Sequence, residues 1–383
     1  MAVDYDVVIV GGGIQGAGIA QACVAGGYTC LVLEKTAVAA GTSRASSKLI
    51  HGGLRYLASA EISLVRECLK ERQWLIENAA TLVKPMRFYI PLYKGNQYPR
   101  WQLMAGLGLY AVLSGLTRYS RFKRIPKEKW DEFKTLKMSG LVGLFQYWDA
   151  VTDDQLLTES VMRSAQSLGA ELLCPAEFVS AQKNAYDYHV TYRHNGEEKQ
   201  LTTNMLVNVA GPWVNEVQSA VTPALYTIPV ELVQGTHLVL EGQLFSDKVM
   251  YLEHPDDQRV VFVTPWYGNT LIGTTERPLS SPADIAVTDE ETDYLLTLWA
   301  YYFGGDAPKV LECMAGSRVL PASSKSVFKK SREAQILVGK LSVAVYGGKL
   351  TGFRAVSKKV VSEVALQLGA REPKADVDKL KLT

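Results

Sequence analysis

Residues 7–20 read VVIVGGGIQGAGIA, and this stretch decides the fold. Its first four residues are β-branched and apolar, which predicts a buried strand, and the glycines after them match G-x-G-x-x-G. A helix is predicted from about Ile14 to Gly26, followed by a second apolar strand over Cys30–Leu33. In such a βαβ unit the glycines admit a pyrophosphate to the backbone at the positive end of a helix. The sequence therefore predicts a dinucleotide-binding α/β domain.

An acidic residue closes the second strand of this unit. Glu34 lies 21 residues after Gly13, where a carboxylate accepts a hydrogen bond from a ribose 2′-hydroxyl. Its charge disfavours a 2′-phosphate and so argues against NADP. These residues leave the choice between FAD and NAD open.

Composition excludes several classes of protein. The 383 residues are enough for two domains or one large interleaved domain, and a net charge of +2 is too mild for a nucleic-acid-binding protein. Five scattered cysteines without C-x-x-C indicate neither a disulfide framework nor a metal site, which fits a cytoplasmic protein. The first strand begins so early that no signal peptide is expected.

The remaining elements predict a nucleotide-binding domain that the chain enters three times. Capping boxes at 152–155 and 288–291 open helices, and β-rich blocks cover 171–209 and 229–276. A late strand, glycine turn and helix end near Leu368. The expected bounds are 1–85, 150–222 and 325–370 for the nucleotide-binding domain, 86–149 and 223–324 for a β-rich substrate domain, and 371–383 for a solvated tail.

An uncharged run over Leu103–Leu116 has two interpretations. Fourteen residues are too few to cross a bilayer, so the run is either a buried helix or an interfacial one. The stretch Thr117–Lys134 that follows has seven Lys or Arg against three Asp or Glu, which suits contact with anionic lipid. We favour the buried helix, because apolar helices are commoner in cores than as membrane anchors.

The segment TSRASSKLIHGGLRYL, residues 42–57, is the second informative stretch. Small hydroxylic residues and glycines follow the ribose-binding strand, and His51, Arg55 and Tyr56 lie within six positions of one another. Singly, these residues read as cap, core or surface groups. Directly after a dinucleotide motif, they predict a segment that passes under the cofactor.

Four motifs together resemble the FAD-dependent glycerol-3-phosphate dehydrogenases, within the superfamily of D-amino-acid and glycine oxidases. They are VGGGIQGAGIA (10–20), TSRASSKLIHGGLRYL (42–57), LVNVAGPWVN (206–215) and VYGGKLTGFR (345–354). The likeness covers about residues 5–365. It implies FAD as cofactor and a Rossmann-like, glutathione-reductase-like FAD-binding domain interleaved with a β-rich α+β substrate domain.

The resemblance also assigns residues to FAD. For the ADP half and the groups beside it these are Gly11, Gly13, Gly16, Glu34, Lys35, Phe178, Ala210, Gly211 and Trp213. For the ribityl and flavin portion they are Thr42, Ser43, Ser46, Ser47, Lys48, Gly52, Gly347, Gly348, Lys349, Leu350 and Thr351. A helix N-terminus after Gly347-Gly348 would stabilise the negative charge of a reduced flavin.

A phosphorylated substrate needs cations, and a guanidinium suits phosphate by geometry. The candidates are Arg55, Arg318 and Lys349, then Arg277 and Arg354, with Tyr56, His237 and Thr351 as further substrate contacts. Oxidation of an alcohol also needs a base for the hydroxyl proton, and His51 is the first choice and His237 the second. The predicted catalytic set is His51, Arg318 and Lys349, with no metal.

Three functions stay open. The first is oxidation of sn-glycerol 3-phosphate to dihydroxyacetone phosphate by hydride transfer to flavin N5, with electrons passed to quinone or another acceptor. Such an enzyme of glycerol metabolism would be cytoplasmic or peripheral on the inner face of the cytoplasmic membrane. The second is a flavin oxidase or dehydrogenase of an amino acid, amine or 2-hydroxy acid. The third is a flavin-bearing electron-transfer subunit that needs a partner.

The sequence departs from the family pattern at four places. Ala210 replaces a usual threonine, no proline directly follows Arg318, and Gly352-Phe353 stands where a hydroxylic residue and a tyrosine are usual. These three departures leave FAD binding intact and bear on the substrate. We also expect the family's C-terminal helical domain to be absent, because the sequence ends soon after the flavin-binding helix, and this bears on oligomerisation, regulation and membrane docking.

Overall fold

The computed structural model describes residues 3–115, 117–322 and 333–383. The last residue of the uncharged run, Leu116, and the predicted domain boundary at 324–325 lie outside the described residues. The helices are α1 (Ile14–Ala25), α2 (Ile62–Asn78), α3 (Arg100–Leu113), α4 (Asp154–Ser167), α5 (Val214–Ser219), α6 (Asp289–Phe303) and α7 (Phe353–Leu368).

The strands form two sheets. Their bounds are β1 (Tyr5–Val10), β2 (Cys30–Leu33), β3 (Leu49–Ile50), β4 (Val83–Tyr93), β5 (Lys123–Arg124), β6 (Leu141–Thr152), β7 (Glu171–Leu173), β8 (Ala176–Lys183), β9 (Tyr188–His194), β10 (Glu197–Asn208), β11 (Val221–Thr222), β12 (Val230–Leu240), β13 (Lys248–Glu253), β14 (Val260–Trp266), β15 (Asn269–Gly273), β16 (Arg277–Leu279), β17 (Val310–Pro321), β18 (Gln335–Gly339) and β19 (Ser342–Tyr346).

The first sheet has a parallel centre in the order β19-β10-β1-β2-β7. Helix α1 packs between α4 and α7 on one face, where it meets Val7 and Ile9. Val8 and Val10 point to the other face, into a second cluster beneath the antiparallel meander β8-β9-β10. Because β1 is buried on both faces, it reads as an unbroken apolar run rather than an alternating one.

The second sheet runs in the order β16-β12-β15-β14-β13-β4-β6-β3, with β17 on β12 and β5 on β6. Helix α6 covers one face, and helices α2 and α3 cover the other. The α/β fold with a Rossmann-like domain and a β-rich second domain is therefore as predicted. The short strand β3 and strand β4 both belong to the second sheet, where each pairs with β6. Residues 49–50 and 83–85 nevertheless fall within 1–85, the first segment predicted for the nucleotide-binding domain. The domain bounds stay a prediction.

Both predicted helices begin at their predicted caps, with a shift of one residue at α4, but neither capping box is complete. Asp153, rather than Thr152, caps α4, because its carboxylate accepts a hydrogen bond from the Leu156 N–H. Thr288 caps α6 as predicted, through the Glu291 N–H. The Glu291 side chain does not return to the cap. It is buried and accepts hydrogen bonds from Gln234 of β12 and from Thr275, which lies just after β15.

The charged end of the chain, predicted as a solvated tail over 371–383, packs on the first domain. Arg371 forms an ion pair with Asp6 at 2.5 Å, and Leu382 is 2% exposed within the core between the sheet and its helices. Most residues of this segment are exposed, as in a solvated tail, but several of its charged and apolar groups have partners elsewhere in the chain. Composition alone does not reveal such partners.

Helix α3 is buried on one side only. Leu107 and Tyr110 pack into the core, whereas Trp101 is 72% exposed and Val112 61% exposed. The interpretation as a buried helix is therefore wrong. The second sheet and α2 cover one stripe of α3, and its other apolar stripe has no covering element among the described residues.

Candidate active site

A cavity of about 770 Å³ lies between the two sheets. The carboxyl ends of β1, β2, β10 and β19 open into it, which is where ligands bind in open α/β sheets. Strands β12, β13, β14 and β17 of the second sheet line the opposite side. Most of the residues predicted for cofactor and substrate therefore share one cavity.

The β1–α1 turn has the close approach that a dinucleotide requires. Gly11 has φ +116°, and a Cβ atom there would lie 2.7 Å from the Val209 carbonyl oxygen. A Cβ atom on Gly16 would lie 1.9 Å from the Gly11 carbonyl oxygen. Gly16 does not line the cavity; it holds α1 against the turn, so its part in binding is indirect.

Glu34 lines the cavity in a fixed orientation. Oε2 accepts a hydrogen bond from the Gly12 N–H at 2.6 Å, and Oε1 accepts one from the Thr36 N–H at 2.8 Å. A carboxylate has about four acceptor sites, so Glu34 retains capacity for a ribose hydroxyl. The neighbouring Lys35 forms an ion pair with Glu177 at 2.9 Å on the rim.

The hydroxylic segment is fastened on both sides. Thr42 Oγ1 donates to the Ser317 carbonyl oxygen at 2.7 Å, and Ser43 Oγ accepts from the Ile14 N–H at 2.9 Å, at the start of α1. Ser46 donates to Asp154 Oδ2 from its backbone N–H at 2.9 Å and from its hydroxyl at 2.6 Å. The segment is thus held as a wall of the cavity rather than as a free loop.

Lys48 lies outside the cavity, contrary to the contact with the cofactor expected for it. Its ammonium is buried and pairs with Asp154 at 2.5 Å, and it also donates to the Arg44 carbonyl oxygen at 2.5 Å. Burial raises the pKa of Asp154, an effect that the lysine opposes. Lys48 therefore supports the segment from behind.

These residues fit FAD. The glycine turn at Gly11 has no room for a side chain, and the N-terminus of α1 faces the cavity. Glu34 lines the cavity at the position where a carboxylate binds the ribose. Phe178, Ala210, Gly211 and Trp213 line the same end, and Gly347–Thr351 line the other. The cavity is large enough for a cofactor and a small substrate together.

Two glycines make room for the substrate candidates on the second sheet. A Cβ atom on Gly235 would lie 2.4 Å from Arg318 Nη2, and one on Gly273 would lie 2.1 Å from the His237 ring. Arg318 Nη2 donates to Thr274 Oγ1 at 2.8 Å. The guanidinium and the imidazole are therefore held at fixed positions on the cavity wall.

His237 is fully buried beside two cations. Burial, with Arg318 and Lys48 nearby, lowers the pKa of His237 to about 3, so the imidazole is neutral at physiological pH. Its Nε2 lies 2.9 Å from Ser47 Oγ, and its Nδ1 has no hydrogen-bond partner among the residues that the structure describes. An imidazole with so low a pKa is a weak base.

The turn before α7 brings Lys349 to Tyr56. Gly347 and Gly348 have φ of +72° and +97°, and a Cβ atom on Gly347 would lie 2.7 Å from the Val319 carbonyl oxygen of β17. The Lys349 ammonium lies 3.8 Å from the centre of the Tyr56 ring and 3.5 Å from Cys68 Sγ. Lys349, Leu350 and Thr351 line the cavity together with His51 and Arg55.

Three predicted residues lie away from this wall. Gly52 is packed behind it against α2 and α3. Arg277 pairs with Glu291 at 3.3 Å, and Arg354 pairs with Glu71 at 2.8 Å. The two arginines were the less favoured phosphate candidates, and the structure removes both from the cavity because each neutralises a buried carboxylate.

Several lining residues were not predicted from the sequence. They are Tyr147, Asp149, Tyr251, Phe262 and Thr274. Tyr147 and Asp149 lie two residues apart on β6, and both are buried. A carboxylate inside an apolar strand is the sequence signal that would have found them, since such a group needs buried partners. Among the described residues, no group of His, Cys, Asp and Glu side chains has the arrangement of a metal site.

Comparison with known proteins agrees with this geometry. The family model of FAD dependent oxidoreductases matches residues 6–348. Glycerol-3-phosphate dehydrogenase of Pseudomonas aeruginosa is 33% identical over 378 residues, which cover 94% of this chain and 71% of that protein. Aerobic glycerol-3-phosphate dehydrogenase of Staphylococcus haemolyticus is 33% identical over 377 residues, covering 95% of this chain and 68% of that protein.

Solved structures share the fold. Glycerol-3-phosphate dehydrogenase from Bacillus halodurans, complexed with FAD, superposes with a TM-score of 0.79 at 26% identity, covering 99% of this chain and 67% of that one. L-α-glycerophosphate oxidase from Mycoplasma pneumoniae, with FAD bound, shares the fold at 18% identity and a TM-score of 0.77, covering 99% of both chains. The chain therefore belongs to the FAD-dependent oxidoreductases, in the glycerol-3-phosphate dehydrogenase family, and is an enzyme that uses FAD.

Proposed function

We propose that the enzyme oxidises sn-glycerol 3-phosphate to dihydroxyacetone phosphate and passes the electrons to quinone or another acceptor. The observation that carries this proposal is the gathering of Arg55, Arg318 and Lys349 on one cavity with His51. Three cations suit a phosphate dianion, and a guanidinium held by Thr274 binds it with little loss of side-chain freedom. The names of the relatives support the same substrate class.

In this proposal the protein binds, orients and deprotonates the alcohol. Arg318 and Arg55 hold the phosphate, and Lys349 adds a third positive charge beside the Tyr56 ring. His51 accepts the hydroxyl proton as the carbonyl forms at C2, because the low pKa of His237 makes it the poorer base. Bound FAD supplies the two-electron acceptor for the C2 hydride.

Anaerobic reduction of the bound flavin tests the substrate. We expect sn-glycerol 3-phosphate to bleach the flavin of the purified enzyme, and glycine, sarcosine and 2-hydroxyglutarate to leave it oxidised. Arg318→Ala, as the matched variant, should retain FAD and need at least about tenfold more substrate for half-maximal rate, since a charged hydrogen bond contributes about 1.5–3 kcal/mol. Bleaching by an amino acid or 2-hydroxy acid alone would instead identify the enzyme as an oxidase or dehydrogenase of those substrates.

We also propose that α3 rests on an anionic membrane surface. Trp101, Met104, Leu109 and Val112 form an exposed apolar stripe on this helix, and Arg118, Arg121, Lys123 and Arg124 are exposed just after it. An apolar stripe with a basic flank is typical of helices that lie in the headgroup region. No helix among the described residues is long and apolar enough to span a bilayer.

Vesicle flotation tests the membrane surface. We expect the enzyme to float with vesicles containing phosphatidylglycerol and not with phosphatidylcholine alone. Val112→Asp should weaken partitioning at least about tenfold, because burying a valine side chain contributes about 1.5 kcal/mol. Leu366→Asp is the control, since Leu366 is an aliphatic residue on α7 that is 77% exposed, more than Val112. Absence of flotation by the unaltered enzyme would contradict the proposal.

A further inference from the structure

A buried tyrosine on α3 reaches the backbone beside His51. Tyr110 is 2% exposed, and its hydroxyl accepts a hydrogen bond from the Gly52 N–H at 2.8 Å. The same hydroxyl donates to the Asp149 carboxylate, with Oδ1 at 2.7 Å. Because Gly52 directly follows His51, the peptide bond between them is tied to α3 by one hydroxyl group.

Asp149 fixes that hydroxyl in turn. Its Oδ1 accepts from Arg72 Nη1 at 2.5 Å and, at 3.3 Å, from the Gly52 N–H. The side chains of Asp149 and Arg72 are each 1% exposed. Hydrogen-bonded charges in so dry a place have few alternative arrangements. The Tyr110 O–H group therefore points to Asp149, and a lone pair of the hydroxyl oxygen points to the Gly52 N–H.

Packing around Gly52 leaves no room for a side chain. A Cβ atom there would lie 2.3 Å from Leu69 Cδ2 and 2.5 Å from the Tyr110 hydroxyl oxygen. The next residue, Gly53, has φ +76°, and a Cβ atom on it would lie 2.2 Å from the Tyr56 ring. The backbone after His51 is thus enclosed by α2, α3 and Tyr56. Tyr110 contributes the short polar contact within that enclosure.

We propose that Tyr110 is a positioning residue that holds the His51 backbone, and with it the imidazole, at the reacting alcohol. Tyr110 does not line the cavity, so it acts through Gly52 rather than on the substrate. This proposal rests on the proposed function in taking His51 as the base. A displacement of about 1 Å at a catalytic group lowers rates by up to on the order of a hundredfold, and the remaining Asp149 contact limits the expected loss to about tenfold.

Tyr110→Phe tests the proposal by hydrogen exchange and by flavin reduction. On the FAD-loaded enzyme, amide exchange of the peptide covering 49–56 should be about five- to tenfold faster, the scale of one lost hydrogen bond. The rate of flavin reduction at saturating glycerol 3-phosphate should fall about tenfold, with substrate affinity and FAD content within about twofold of the unaltered enzyme. Unchanged exchange over residues 49–56, or a loss confined to substrate affinity, would overturn the proposal.

Tyr302→Phe is the matched control. Tyr302 is also 2% exposed, and its hydroxyl donates to the Glu253 carbonyl oxygen at 2.7 Å, away from the cavity. We expect Tyr302→Phe to lower the free energy of unfolding by a similar amount. The amide exchange of residues 49–56 and the rate of flavin reduction should both stay unchanged. If Tyr302→Phe reproduces both changes, the effect of Tyr110→Phe is general destabilisation and the proposal fails.

A double variant shows whether Tyr110 acts through His51. Added to His51→Ala, Tyr110→Phe should lower the rate less than about twofold further, because residues that act through one group are not additive. A further tenfold loss would overturn the proposal. If glycerol 3-phosphate does not reduce the unaltered enzyme, the proposed function fails, and the exchange measurement alone then decides the role of Tyr110.

Discussion

Purified Gly16→Ala protein is expected to carry less than about a tenth of the flavin of the unaltered enzyme. The added methyl group would lie 1.9 Å from the Gly11 carbonyl oxygen, and that atom belongs to the turn that approaches the pyrophosphate. Relief requires α1 to move away from β1 or the turn to move into the cofactor space. Overpacking of this kind costs about 1–3 kcal/mol or more, and here the cost falls on the binding-competent turn. Visible absorbance per chain and thermal unfolding measure the result.

Gly106→Ala is the matched control for this change. Gly106 also lies inside a helix, and a Cβ atom there would meet no atom within 4 Å. We expect full flavin content and a free energy of unfolding about 0.5–1 kcal/mol higher, since alanine restricts the unfolded chain and favours a helix. A Gly16→Ala protein with normal flavin content would contradict the role given to the cradle.

His51→Ala is expected to slow anaerobic flavin reduction by about a hundredfold or more while flavin content stays unchanged. His51 lines the cavity beside Arg55 and Tyr56, and removal of a general base costs about 10²–10⁴ in rate. Stopped-flow reduction with glycerol 3-phosphate measures the effect. His189→Ala, which removes an exposed histidine on β9, should reduce at the normal rate.

The dependence of this rate on pH separates the two histidines. A base acts in its neutral form, so the rate should fall as pH drops through the pKa of that base. His237, with a pKa of about 3, gives no inflection above pH 5. We therefore expect any inflection between pH 5 and 8 to disappear in His51→Ala and to persist in His237→Gln. The opposite pattern would transfer the role of base to His237.

The parts of this enzyme that sequence reasoning reached are those with local causes. Strand β1, helix α1 and strand β2 follow from apolar runs and glycines within 30 residues, and the structure has them within two residues of their predicted bounds. The βαβ motif predicted dinucleotide binding, and the resemblance of four motifs taken together implied FAD and the family.

The parts that sequence reasoning missed depend on distant partners. Lys48 was predicted to contact the cofactor, but its ammonium forms an ion pair with Asp154, which lies 106 residues away in the chain. The contacts of the tail with the first domain were not predicted, because they depend on distant partners such as Asp6, which forms an ion pair with Arg371. Asp149 is a carboxylate inside an apolar strand, but its partners Arg72 and Tyr110 come from two distant helices. One sequence contains no record of these pairings, since each is set by how two elements pack.

The parallel centre of the first sheet has a consequence for how the enzyme is made. Strand β1 pairs with Thr203–Asn208 of β10, and β10 pairs with Ser342–Ala344 of β19, so these two pairings join residues 198 and 136 positions apart in the chain. Pairings between such remote segments form slowly, because a long loop must close before any contact is gained. At synthesis rates of about 5–20 residues per second, β19 is made tens of seconds after β1. The flavin cradle is therefore completed only after β19 has been made, and until β10 is made one edge of the apolar strand β1 has no partner strand.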